Sequence, residues 1–236
     1  MKLNMDTKLM RGATALHLFI AAAVLCSPIA LRAQTNLVVP NRYASQDPRN
    51  GSSLLQSKIR LQEVYDASQF PAHPLVIREI RLRPSTIAGK AFSATISNLQ
   101  INLSTTTARP GALNVNFATN AGPDDTVVFQ GSIAVSSAFS GPAGQPKAFD
   151  IIIPLSTPFT YNPAAGNLLV DWQNFSGSTA TSVDVGLGSS NEGSRAFAMG
   201  GNATKATTRD AGVEILQLIY TLSTVVCVNP PAGLVG

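Results

Sequence analysis

Apolar residues in this chain recur at every second position, in short runs that clusters of Pro and Gly interrupt, and this pattern restricts it to short antiparallel strands. Ile59, Leu61, Glu63 and Tyr65 fall on one face, against Arg60, Gln62 and Val64 on the other. Past residue 33 no segment keeps a helical period over twelve residues, so helices are expected only as single turns, one of them at Asp66-Ala-Ser-Gln-Phe. In 92–103 the apolar parity shifts between Ile96 and Leu99, which predicts a bulge or turn near Ser97-Asn98. Further strands are expected at 36–40, 75–83, 113–117, 126–129, 133–137, 149–154, 159–161, 167–175, 182–187, 196–199 and 213–223. The expected fold is all-β, an antiparallel β-sandwich of jelly-roll type. The absence of a repeat of fixed length disfavours a solenoid or propeller.

Residues 1–33 read as a signal peptide. A basic stretch with Lys2, Lys8 and Arg11 precedes an apolar run from Ala13 to Leu25, and cleavage is expected after Ala33. The uninterrupted apolar stretch from Leu18 to Cys26 is short of the roughly 20 residues a membrane span needs. Leu25 is too bulky for Cys26 to be a favoured lipidation site. After the leader come an expected flexible lead-in at 34–56, the sandwich at 57–223 and an unstructured tail at 224–236.

Export changes the charge balance. Four of the seventeen basic residues (Lys2, Lys8, Arg11, Arg32) and one of the thirteen acidic ones (Asp6) precede Gln34, leaving thirteen against twelve. A nearly neutral mature chain offers no nucleic-acid surface. The local run Arg78, Arg81, Arg83 reads as a solvated strand face. One cysteine, Cys227, and one histidine, His73, remain after the leader. No internal disulfide is possible, zinc-type His/Cys clusters are excluded, and any triad would have to use His73, which sits in a proline-bracketed loop. Nucleophile elbow, phosphate loop and dinucleotide fingerprint are all missing from the sequence.

A catalytic reading would rest on the acidic residues Glu63, Asp66, Glu79, Asp124, Asp125, Asp150, Asp171, Asp184, Glu192, Asp210 and Glu214. A glycosidase needs two carboxyls facing each other about 5 to 9 Å apart across a cleft. Turn and strand-face roles account equally for each, so no catalytic residue is assigned. Asp124 and Asp125, after Gly122-Pro123, are candidates for a calcium loop, although turn chemistry explains them as well. No other cofactor is implied. Trp172 shares its parity with Leu168 and Val170 and reads as core, whereas Tyr43 and Tyr65 are expected to be exposed and too few for a stacking stripe.

The runs Leu61-Gln-Glu-Val-Tyr-Asp-Ala-Ser-Gln-Phe, Ile77-Arg-Glu-Ile-Arg-Leu-Arg-Pro, Phe92-Ser-Ala-Thr-Ile-Ser-Asn-Leu-Gln-Ile-Asn-Leu-Ser-Thr-Thr, Asp124-Asp-Thr-Val-Val-Phe, Phe149-Asp-Ile and Pro158-Phe-Thr-Tyr-Asn-Pro-Ala-Ala-Gly-Asn-Leu-Leu-Val-Asp resemble exported bacterial β-rich proteins that often carry a PEP-CTERM sorting tail. The likeness covers residues 57 to 223. It implies an exported domain associated with envelopes and exopolysaccharide, and it brings no catalytic residues. The chain departs from the pattern at its end, where Pro230-Pro231 is followed by no hydrophobic span. The expected function is that of a non-enzymatic surface or extracellular-matrix protein, secreted or held at the cell envelope. A carbohydrate-binding module is the alternative, and a glycan hydrolase the third reading.

Overall fold

Period-two alternation becomes structure wherever one face of a strand can be buried. In the computed structural model, which describes residues 34–187 and 191–223, thirteen strands form. They are β1 (Thr35–Val39), β2 (Gly51–Ser52), β3 (Ile59–Tyr65), β4 (Leu75–Leu82), β5 (Phe92–Thr106), β6 (Thr126–Ser137), β7 (Ile151–Tyr161), β8 (Asn167–Asn174), β9 (Val183–Leu187), β10 (Gly193–Met199), β11 (Thr208–Asp210), β12 (Gly212–Glu214) and β13 (Leu216–Leu222). One helical turn, α1 (Phe117–Asn120), and three short 3-10 turns complete the described elements. The expected signal peptide and tail, with Cys227, lie outside the described residues.

All strand pairs are antiparallel. A four-stranded sheet runs β1-β13-β4-β7, a six-stranded sheet β11-β10-β3-β8-β5-β6, and a small sheet β12-β9-β2. The two larger sheets share one core in a sandwich-like, all-β arrangement. Leu61, Ile101, Leu103, Val170 and Trp172 enter it from the six-stranded sheet, and Ile77, Ile80, Ile153, Leu218 and Tyr220 from the four-stranded one. Each fully buried aliphatic side chain here contributes about 1.5–3 kcal/mol.

The predicted bulge is present. The β5–β6 register shifts between Ile96 and Leu99, Ser97 and Asn98 face solvent, and both flanking apolar residues are buried. Opposite Leu99 stands Gly131 at φ +139°, a conformation that favours glycine, and through it the expected strands 126–129 and 133–137 become the single strand β6. Likewise 149–154 and 159–161 merge into β7, which is interrupted in register but not in course. The Asp66 turn forms as expected, with the Asp66 carboxylate accepting from the Ser68 N–H at 2.9 Å.

Four expectations are corrected. Segment 34–56 is built into the fold: β1 pairs with β13, β2 pairs with β9, and Leu54 and Leu55 are fully buried. The apolar positions of 113–117 make no strand. The Asn114 side chain accepts from the Asn116 N–H, and Leu113 and Phe117, four residues apart, pack on Val64, Leu169 and Ala196 of the six-stranded sheet's outer face. Tyr43 and Tyr65 are buried, because Tyr65 has the parity of Leu61 and Tyr43 packs on Gly186. Arg83 is buried too. Its guanidinium meets Asp184 at 2.6 Å and donates to the carbonyls of Tyr43 and Gln46, which pins the 34–56 segment to the sandwich. Arg78 is exposed, in keeping with a solvated face.

Trp172, the single tryptophan, is fully buried and donates from Nε1 to Glu63 at 3.0 Å. Native emission should therefore be blue-shifted and inaccessible to iodide, moving to the red in one step on unfolding. Trp172→Ala should lower denaturant stability by about 3–5 kcal/mol. A red, quenchable native spectrum would contradict this placement.

Candidate functional site

With Leu99, Ile101, Trp172 and Leu61 turned inward, their neighbours Gln100, Asn102, Gln173, Asp171, Arg60 and Gln62 must face outward. Register then aligns them. Gln130, Gln100, Gln173 and Arg60 stand opposite one another across β6, β5, β8 and β3. Strands about 4.8 Å apart make this row roughly 14 Å long. Gln130 is exposed and Gln100 and Gln173 are half-buried, while further along the sheet Leu113 and Phe117 cover Val64 and Leu169. The Gln100 amide donates to Asn102 at 2.9 Å, and Asn102 donates to Asp125 at 2.9 Å. Arg60 is neutralised by a two-pronged pair with Asp171 at 3.1 and 2.7 Å and stacks on Phe117. The open face thus presents amides and a neutralised ion pair, with the Asp125 carboxylate at its edge. Phe175, on the same parity as Gln173, lies half-buried against Gly201 beside the row.

The acidic residues are distributed differently. Asp171, Asp184, Asp210, Glu79 and Glu192 pair with Arg60, Arg83, Arg195, Arg81 and Arg42. Asp66 caps its turn, and Asp150 accepts from the Ala138 N–H. Among the described residues Glu63 and Glu214 come together as a carboxyl pair, and both are fully buried. Glu63 accepts from the Glu214 N–H at 2.5 Å and from Trp172; the Glu214 carboxylate takes the Ser52 hydroxyl and stands 3.7 Å from Arg195. Burial first, and repulsion from Glu214 second, push the Glu63 carboxyl well above its ordinary value. This pair does not line an open cleft of the kind in-line glycoside hydrolysis uses.

The calcium candidates are divided between partners. Asp124 accepts from the Thr105 N–H at 2.7 Å, while Asp125 accepts from Asn102. Burial raises the Asp125 carboxyl, an effect that the Asn102 bond opposes. Among the described residues no three His, Cys, Asp or Glu side chains converge as metal ligands, and no helix is long and apolar enough to cross a membrane. His73 is exposed.

Sequence reasoning overlooked the amide row. The signal lay in glutamines placed between inward Leu, Ile and Trp residues at 100 and 173, but cross-strand register was needed to join them. Comparison with protein-family models, curated proteins and solved structures gave no match.

A carboxyl whose folded pKa is raised favours the fold most below its ordinary value, and that contribution is lost as pH rises through the raised one. The melting temperature should therefore fall towards alkaline pH. Glu214→Gln removes the repulsion, leaves the burial, and should flatten this dependence in part. Glu63→Ala, which strands the Trp172 and Glu214 donors, should cost about 3 kcal/mol. Melting curves from about pH 5 to about pH 9 check both; an equally steep alkaline fall in Glu214→Gln would refute a contribution from repulsion between Glu63 and Glu214.

Proposed function

We propose that the chain is an exported, non-enzymatic surface or extracellular-matrix protein whose amide face contacts neutral polysaccharide. The carrying observation is the uncharged row Gln130, Gln100 and Gln173 on an open sheet face. A carboxamide offers two donors and an acceptor in one plane, which suits neighbouring hydroxyls on a sugar. Spaced at the strand interval, three such groups favour an extended ligand lying across the strands over a small solute. The neutralised Arg60 gives no preference for anions. With Phe117 buried against Arg60 and Phe175 half-buried beside the row, each contact is weak, and retention in a matrix would come from many chains binding one polymer.

Export is supported by the basic, apolar and small-residue order of 1–33 and by the resemblance to proteins of PEP-CTERM type. Turnover lacks support, because the carboxyls that meet, Glu63 and Glu214, are both out of solvent reach. The carbohydrate-binding module reading is favoured by the same amide row and differs only in whether binding serves an attached activity.

Affinity electrophoresis in gels containing dextran, soluble cellulose or alginate tests the proposal. Retardation is expected in the neutral gels and not in alginate. Gln100→Ala combined with Gln173→Ala should weaken it about tenfold, the loss expected of two hydrogen bonds at about 0.7 kcal/mol each. No reducing ends should be released. Hydrolysis abolished by a single Asp or Glu to Ala change would replace this reading with a hydrolase.

A further inference from the structure

At one end of the sandwich the last residues of β5, the loop after α1 and the turn between β7 and β8 close around a cavity of about 390 Å³. The loops are pressed together by two glycines. A Cβ on Gly122 would lie 1.7 Å from the Thr105 carbonyl oxygen, and one on Gly166 would lie 2.5 Å from that of Thr106. No other residue permits this approach of backbone to backbone. The cavity is therefore a constructed feature of the fold.

Its lining has two characters. Thr105, Thr107, Thr119 and Thr160 bring hydroxyls and methyl groups, and Ala121, Pro123 and Ala165 add aliphatic surface. Asp124 and Asn162 are its most polar members. One oxygen of each is held by the backbone: Asp124 Oδ1 by the Thr105 N–H at 2.7 Å, and Asn162 Oδ1 by the Ala164 N–H at 3.2 Å. Among the described residues nothing engages Asp124 Oδ2 or Asn162 Nδ2, which leaves one charged acceptor and one amide donor on fixed supports. No basic and no aromatic side chain lines the cavity.

We propose that this cavity binds one neutral hydroxylated ring, a monosaccharide or the terminal residue of a glycan. A pyranose alternates aliphatic C–H faces with hydroxyl edges, which matches methyl-bearing walls interrupted by a carboxylate acceptor and an amide donor. Charge-assisted bonds from sugar hydroxyls to Asp124 are the strongest contact on offer. The same carboxylate repels uronates and phosphates, which no cation here would compensate. The volume lies near the lower end of small-ligand sites, about 300–1,000 Å³, so one ring fits and an oligosaccharide would extend into solvent. This site is separate from the amide face and does not depend on it: it would read chain ends or free sugars, where the face would read chain lengths.

Saturation-transfer NMR and titration with methyl glycosides of glucose, galactose and mannose, with methyl glucuronide as the anionic control, test the proposal. At least one neutral glycoside should bind, with a Kd of about 1 mM, and the glucuronide should not. Asp124→Asn and Asn162→Asp each keep the backbone bond while changing the group shown to the ligand, and each should weaken binding about tenfold. Ala165→Phe, at an exposed turn position, should fill the cavity and abolish binding, with the Trp172 emission confirming that it folds. The Gln100/Gln173 double variant should bind the glycosides as wild type does, even if it no longer engages polymer. Competition by oligosaccharides capped with the preferred sugar would identify glycan termini as the source, and its absence would identify free sugar. Failure of every neutral glycoside to bind, or unchanged binding by Ala165→Phe, would overturn the proposal and leave the amide-face reading untouched.

Discussion

A carboxyl group inside an apolar core is tolerated only when its lone pairs and its proton are all assigned. Glu63 has a donor on each carboxyl oxygen and gathers strands around itself to obtain them. The Trp172 indole reaches it from β8 and the Glu214 N–H from β12. Glu214 in turn holds the Ser52 hydroxyl from β2, the Tyr65 hydroxyl on its own carbonyl, and Arg195 of β10 nearby. Five strands, drawn from the six-stranded and the small sheet, are thereby oriented by one pair of carboxyls. Because β8 is fixed with Trp172 inward, Gln173 and Asp171 are forced outward. The polar face is thus a consequence of how the core is closed.

Charge is handled by the same economy. Arg83, inside, is neutralised by Asp184 and uses its remaining donors on carbonyls of the 34–56 segment. Arg60, outside, is neutralised by Asp171, which also accepts from Gln62. Gln62 accepts from Asn120, whose side-chain oxygen receives the Asn114 N–H. A chain of hydrogen bonds therefore runs from the sheet into the segment that carries α1. It holds that segment over one part of the outer face and leaves the Gln130, Gln100 and Gln173 part open.

The residues show why some of this could be read in advance. Parity is a local property, so the bulge between Ile96 and Leu99 and the burial of Trp172 were legible from spacing alone. Tyr65 misled because residue type was weighed over parity, whereas Arg83, just past β4, keeps the parity of half-buried Arg81 and is buried by the 34–56 segment; their polar ends find partners remote in sequence, Glu214 and Asp184. Leu113 and Phe117 misled in another way. Their spacing fits a strand face as well as a helical turn, and the choice was made by Asn114 and Asn120, whose side chains bond main-chain groups that a ladder would otherwise use. The amide row and the loop cavity depend on register and on loop closure. Both are tertiary, and no pattern within one strand encodes them.

The dipeptide Asp124-Asp125 joins these two surfaces. The pair closes a turn in which the Asp125 N–H donates to the Gly122 carbonyl, and the two carboxylates take separate partners. Here Asp125 turns to Asn102 at the edge of the amide face, while Asp124 turns to Thr105 at the mouth of the cavity, three residues further along β5. One strand therefore carries both contacts a few residues apart, and Gly122 lets the loop that supplies them approach it closely. On the proposed reading, two weak sites on one strand would act on a polymer at high effective concentration, since binding at either would hold the chain near the other. For a domain with so few exposed aromatic rings, that geometry would offer the proposed function a route to retention: affinity would come from the spacing of modest polar contacts, where stacking would supply it in a protein richer in tryptophan and tyrosine.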